Sequence, residues 1–271
     1  MNRALTVAAL QVRRISRRRW SSFVLVAGVV LAAVAAGVAA THEGLERTDS
    51  LRQGSATLLL LGGLVAALAL GSPALNRDSD SGHFGTLMGA GVGRAGLAFG
   101  ALLGRAATLA AIVAVWGVAL QIGSVALGLG LDSQLAVHTL LVAEALLLTM
   151  LAAAAASSVV PPVAAGAFGL VVYVTAQAMM NLKAAADQDY IGVARQSIDA
   201  VYYLMPHIPT SQMLADLQLR GEAGPAVPRV DINGNEVLLA ASGWGTVAWT
   251  LLWCALFALL AYAGIRRRPI N

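Results

Sequence analysis

Six apolar stretches, each near or above 20 residues, set the first limit on what this chain can fold into. They cover residues 21–40, 55–75, 106–131, 135–160, 161–182 and 237–265, with short polar punctuation between them. A helix rising 1.5 Å per residue needs about 20 such residues to cross a hydrocarbon core. A bilayer admits only segments that satisfy their own backbone hydrogen bonds. These runs are too continuous for barrel strands, which alternate with period two. Composition points the same way, at 58% hydrophobic and 12% charged with a mean hydropathy of +0.73. Soluble domains carry about 25% charged residues, and six such helices in one soluble domain would leave it no surface. The expected fold is an all-α polytopic membrane protein with six transmembrane helices, forming a single domain over residues 1–271.

The sequence pI near 9.7 suggests nucleic acid only until the charges are placed. Arg3, Arg13, Arg14, Arg17, Arg18 and Arg19 precede the first span. Arg77, Arg94 and Arg105 lie between the second and third, and Arg266, Arg267 and Arg268 follow the sixth. These twelve of the 18 basic residues fall on one side, opposed there only by Asp78 and Asp80. The positive-inside rule puts that side, and both termini, in the cytoplasm. An even number of spans requires the same. The basicity therefore reads as topology, with no nucleic acid as partner, and the expected location is the inner (plasma) membrane, multi-pass. The first apolar run is longer than the 7–15 residues of a signal-peptide core, so it is expected to remain as a span. Cys254, the single cysteine, leaves no disulfide or multi-cysteine metal site within one chain.

Residues 1–20 read as an amphipathic helix on the inner membrane surface. At 100° per residue Leu5, Ala8, Val12 and Ile15 share one face and the arginines the other, facing membrane lipids. Residues 42–54 read as a short external loop, 131–134 as a tight external turn and 157–162 as a tight internal one, where Pro161 and Pro162 open a new helix. Two polar segments are larger, a cytoplasmic one at 76–105 and an external one at 183–236. In the latter, apolar residues at Ile191, Ile198, Val201, Tyr202 and Met205 predict a helix over 187–205, stopped by Pro206 and Pro209. A second short helix is expected through Leu219, and Asn233-Gly234 marks a turn, as of a small hairpin. Together these form an external helical cap.

The cytoplasmic segment carries the sharpest motif. Asp78, Ser79, Asp80 and Ser81 are all good helix N-caps, and acidic groups suit that end of a helix dipole. Gly89, Gly91 and Gly93 end the short helix they begin, and Arg94 follows. The series Asp78, Asp80, Ser81, Gly82, Leu87, Met88, Val92, Gly93, Arg94, Leu97, Gly100, Leu102, Leu103 and Gly104 resembles the inner loop of ABC-2 type permeases. That family usually has Glu where Asp80 stands, Pro near Gly91 and Lys near Ala101. The resemblance extends to the basic N-terminus, the six-span layout, the external segment with Tyr202-Tyr203-Leu204-Met205-Pro206, and the closing arginines. The subgroup it most resembles includes the permease of nitrous-oxide-reductase maturation, and implies a type V exporter-like fold. It also implies a dimer, with a second copy or a paralogue, docked to a separate ABC ATPase. ATP and magnesium would sit on that partner, with no cofactor bound by this chain. Asp78, Asp80, Ser81, Gly82, Phe84, Leu87, Met88 and Arg94 would couple to the ATPase. Arg13, Arg14, Arg17 and Arg18 would lie in the connecting helix at 1–20, and Tyr202, Tyr203 and Pro206 near the outer exit.

Within the spans Glu144 is the sole deep acidic residue, and such a carboxylate marks a partner, a cavity or a proton path. Gln121, Gln177 and Asn181 are its candidate partners. Enzyme readings find little. The only lysine, Lys183, has no Gly-rich loop around it, so no Walker A site can be built. Ser242 before Gly243 echoes an intramembrane serine protease but lacks the preceding Gly, and His42-Glu43 has no second His four residues on. The chain is expected to be no enzyme but a transport subunit. A secondary transporter using Glu144 is the alternative reading, and an intramembrane protease a distant third.

Overall fold

The structure is a computed structural model that describes residues 3–17, 19–75, 82–187, 195–206, 208, 229–232, 235–238 and 243–267. Its elements in order are α1 (Arg3–Ser16), α2 (Arg19–Ala40), α3 (Gly44–Gly71), α4 (His83–Gly89), α5 (Arg94–Ala126), α6 (Ser133–Ser157), α7 (Pro162–Asp187), α8 (Arg195–Leu204), β1 (Arg229–Ile232), β2 (Asn235–Leu238) and α9 (Gly243–Arg267). Among the described residues, α2, α3, α5, α6, α7 and α9 are long and apolar enough to cross a membrane. The six spans expected from the sequence are therefore present, and among the described residues the regular structure is helical apart from one antiparallel hairpin.

α6 is the central helix. It packs against α3, α5, α7 and α9, and buries a continuous run from Leu148 to Ala155. Half of that run is alanine, which lets neighbours close in; Gly71 and Gly169 both abut the α6 backbone and Ala153. The outward faces are the reverse. Phe23 on α2 is 73% exposed and Val163 on α7 is 87% exposed, and rows of Val and Leu on α2, α7 and α9 join them. Apolar surface on that scale belongs against lipid tails.

Several boundaries differ from the sequence reading. The expected loop at 42–54 is helical and forms the first three turns of α3. Its polar residues are exposed or half-buried around the helix, with Leu51 turned inward, so a helix there leaves them accessible without interrupting the backbone ladder. The third span begins at Arg94 and not at 106. At 33 residues α5 is about 50 Å long, some 20 Å more than a hydrocarbon core, so its basic start projects from the membrane without a break. The sixth span starts at Gly243; Val237 and Leu238, expected inside it, belong to β2. Of the helix expected over 187–205, Asp187 closes α7 and α8 covers Arg195–Leu204; Ile191, with the other residues between, and the second short helix through Leu219 lie outside the described residues. The turns do fall where expected, with α6 ending at Ser157 and α7 opening at Pro162. β1 and β2 flank Asn233-Gly234, with Ile232 opposite Asn235.

Candidate functional site

The basic residues and the ABC-2-like motif meet at one end of the bundle, which holds α1, α4, the start of α5 and the end of α9. α1 lies along the first turns of α5 and buries Val7, Ala8, Gln11 and Ile15. Of the expected apolar face Ala8 and Ile15 are buried, joined by Val7 and Gln11, while Leu5 stays 54% exposed. The reason is the surface α1 meets. Gly100 and Gly104, four apart on α5, leave a groove so shallow that α1 backbone fills it. A Cβ on Gly100 would stand 2.7 Å from Ala4 O and from the Val7 Cβ, and one on Gly104 2.7 Å from Ala8 O and the Gln11 Cβ. The pairs Ala4–Gly100 and Ala8–Gly104 advance together, so the two helices run parallel. Arg3 closes the top of this contact by donating from Nη1 to Gly91 O.

α4 is anchored on the same body. Gly82 starts it at φ +68°, a left-handed conformation that glycine adopts without a steric cost. Phe84 is 1% exposed and joins the main core, with Leu87 and Met88 half-buried against it. Thr86 and Gly89 to Gly91 face outward. Gly91, at φ +81°, turns the chain toward α5. Arg94 Nη1 then donates to Arg266 O at 2.6 Å, tying the start of α5 to the end of α9. Asp78, Asp80, Ser81 and Arg18 lie outside the described residues. Arg13 and Arg17 are exposed and Arg14 half-buried.

Sequence reasoning missed Arg105. It is buried inside α5, where it donates from Nη1 to Leu70 O at 2.8 Å and from Nη2 to Ala74 O at 2.6 Å. Leu70 O belongs to the last turn of α3, where a helix leaves its last four carbonyls without internal partners, and Ala74 O to the turn that follows it. The Leu75 amide beside them donates to Ser157 Oγ at 3.2 Å. Arg105 is thus a clamp on the end of α3 rather than a loop charge. The signal available was its place one residue after the Gly100/Gly104 pair, inside an unbroken apolar period.

The interior residues divide. Glu144 Oε1 is buried and meets no hydrogen-bond partner among the described residues. Neither glutamine considered above reaches it. Gln121 instead donates to Asp132 O at 2.6 Å and accepts from the Asp132 amide at 3.1 Å, fixing the turn before α6. Gln177 donates to the Tyr173 hydroxyl at 3.0 Å on its own helix. Asn181 is helical, with its side chain outside the description. At this opposite end Tyr202 and Pro206 are buried, Tyr203 lies in α8, and Trp249 Nε1 on α9 donates to Met205 O at 2.9 Å. The close of α8 is therefore seated on the bundle.

Arg52 on α3 and Asp132 form a 2.8 Å ion pair, and Asp132 also accepts from the Gln134 amide as the N-cap of α6. Burial pushes the Asp132 carboxyl up, but the hydrogen bond and charge of Arg52, the Gln134 amide and nearby His138 outweigh it and hold it below its ordinary range. A depressed carboxylate stabilises the fold above its unfolded pKa of about 3.9 and loses that contribution as pH falls through the lower folded value. Asp132→Asn keeps a cap but loses the charge. It is expected to cost about 1 kcal/mol at pH 7, with the difference from the native chain closing on acidification below about pH 4. Asp132→Ala loses the cap as well and should keep a residual deficit there. Thermal unfolding in detergent at both pH values checks this; a D132N deficit independent of pH would refute the ion-pair account.

No family model and no curated protein matches the chain.

Proposed function

We propose that this chain is the membrane-spanning permease subunit of an ATP-driven exporter of the ABC-2 type, working as a dimer with a separate ATPase. The observation that carries the reading is the interlocked body at the basic end. A short helix, α4, is held by a buried Phe84, with its outer turn exposed and an amphipathic α1 seated in the Gly100/Gly104 groove beside it. An element meant to pass a partner's movement into a bundle needs this construction: rigidly rooted inside, open outside. Because the start of α5 is continuous with a span, a push on α1, seated along it, acts on a transmembrane helix without an intervening hinge. The exposed Arg13 and Arg17, with Arg266 and Arg267, suit the cytoplasmic face and its anionic lipid. Cargo leaves the cytoplasm in this reading, and nucleotide chemistry belongs to the partner.

Glu144 supports the second reading, a secondary transporter coupled through that carboxylate, because a buried oxygen without a partner is unusual unless something else engages it. One experiment separates the two. The tagged chain is purified from native membranes under mild, nucleotide-trapped conditions, and its companions are identified by mass spectrometry. A stoichiometric P-loop ATPase is the expected result. Its absence, together with proton-driven transport abolished by Glu144→Gln, would replace the exporter by the secondary transporter.

A further inference from the structure

Away from the basic end, a cleft of about 730 Å³ opens between the last turns of α2 and the first turns of α3. Its two walls differ in kind. α2 contributes Val34, Ala35 and Val38, an apolar wall. α3 contributes Glu46, Asp49, Gln53 and Thr57, which recur at helical spacing and make a polar stripe on one face. His42 also lines it; Glu46 and Asp49 are exposed, and Leu58 is half-buried.

Arg52 pairs with Asp132, and Arg47 donates from Nε to His42 O at 2.9 Å beside the cleft, so neither forms an ion pair with Glu46 or Asp49. Glu46 and Asp49 make no ion pair or hydrogen bond with any described residue. Below the cleft, Leu58 also lines a small void walled by Gly28, Ala32 and Trp116. The Trp116 indole is 4% exposed, and its Nε1, facing Gly28, has no hydrogen-bond partner among the described residues. Two exposed carboxylates opposite an apolar wall define the occupant. A divalent metal would find only two carboxylates and waste the apolar wall, and an anion would be repelled at the entrance.

We propose that the α2–α3 cleft binds an amphipathic organic monocation, its charge between Glu46 and Asp49 and its apolar body along Val34 and Val38 toward Leu58. The exposed carboxylates take the charge and the apolar wall opposite them takes the body of the ligand. This claim stands on the cleft alone and is measured without any ATPase, so its failure leaves the exporter reading untouched.

The test is equilibrium dialysis of radiolabelled tetraphenylphosphonium against the purified full chain in nanodiscs, with binding to empty nanodiscs subtracted. Saturable binding is expected. It should weaken about ten-fold or more in the Glu46→Gln/Asp49→Asn double variant, which removes the charge. It should weaken similarly in Val38→Trp, which fills the cleft and keeps the charge, so the two variants fail by separate routes. Tetraphenylborate, equal in shape and opposite in sign, should not bind saturably, and tetramethylammonium, the charge without the body, should not compete. Absence of saturable binding, equal binding of tetraphenylborate, or unchanged affinity in both folded variants would overturn the proposal.

Discussion

Leucine at Gly104 is expected to lift α1 off α5. A Cβ at that position already falls 2.7 Å from Ala8 O, and a backbone oxygen cannot rotate away as a side chain can. The helices must separate, and Val7, Ala8 and Gln11 lose their burial together. Overpacking a tight contact costs about 1–3 kcal/mol, so the docked population of α1 should fall about ten- to a hundred-fold. Trypsin reads this directly, because Arg13 and Arg17 already sit at the surface and need only the helix to loosen around them. Faster cleavage there in Gly104→Leu than in the native chain, with Gly104→Ala between, is the expected order. Far-UV circular dichroism should remain close to native, since the spans do not depend on α1. If the partner ATPase co-purifies with the native chain, the same substitution should reduce its recovery. Equal trypsin rates across the three proteins would show that the Gly100/Gly104 groove does not hold α1.

The spans were legible because their signal is strong and local. A run such as 135–160 leaves no alternative structure in lipid, and Pro161-Pro162 marks a helix start whatever surrounds it. What periodicity could not supply was the identity of the neighbour. In α1 a helical wheel groups Leu5 with Ala8 and Ile15, yet the face that turns inward takes Val7 and Gln11 and leaves Leu5 out. The choice is made by Gly100 and Gly104, nearly a hundred residues away, and hydrophobicity alone does not register a groove made by missing side chains. Phe84 carries the same lesson. Placed in a polar segment, it reads as a side chain offered to a partner, whereas the fold roots α4 with it and leaves Thr86 and the glycines outside. Glu144 was found by sequence because a lone acid in a span is conspicuous; its expected glutamine partners were not, since Gln121 serves a turn eleven residues away. Polar residues near a span end have local backbone groups to satisfy, and these compete successfully with a distant carboxylate.

Arg105→Leu should destabilise the bundle more than any other single change at the basic end. The native guanidinium answers Leu70 O and Ala74 O with two N–H groups held in a fixed fork, and it brings positive charge to the negative end of the α3 dipole. Leucine matches the volume of the stem but leaves both carbonyls unmet where little water can reach them. Each buried group so stranded costs about 1–3 kcal/mol, and the expected loss is about 2–5 kcal/mol. Arg105→Lys keeps the charge but loses the fork, and should fall between. The damage has an address. Hydrogen exchange should accelerate at the amides of Ser72, Ala74 and Leu75, which now bond to Leu68 O, Gly71 O and Ser157 Oγ. Amides at the far end of α3, around the Arg52–Asp132 pair, should exchange as before. A uniform rise along α3 would mean that Arg105 supports the whole bundle and not the end of one helix, and an unchanged unfolding temperature in Arg105→Leu would remove the clamp altogether. The order native, lysine, leucine in both readouts would establish α3 and α5 as one body, joined through the helix that also carries α1.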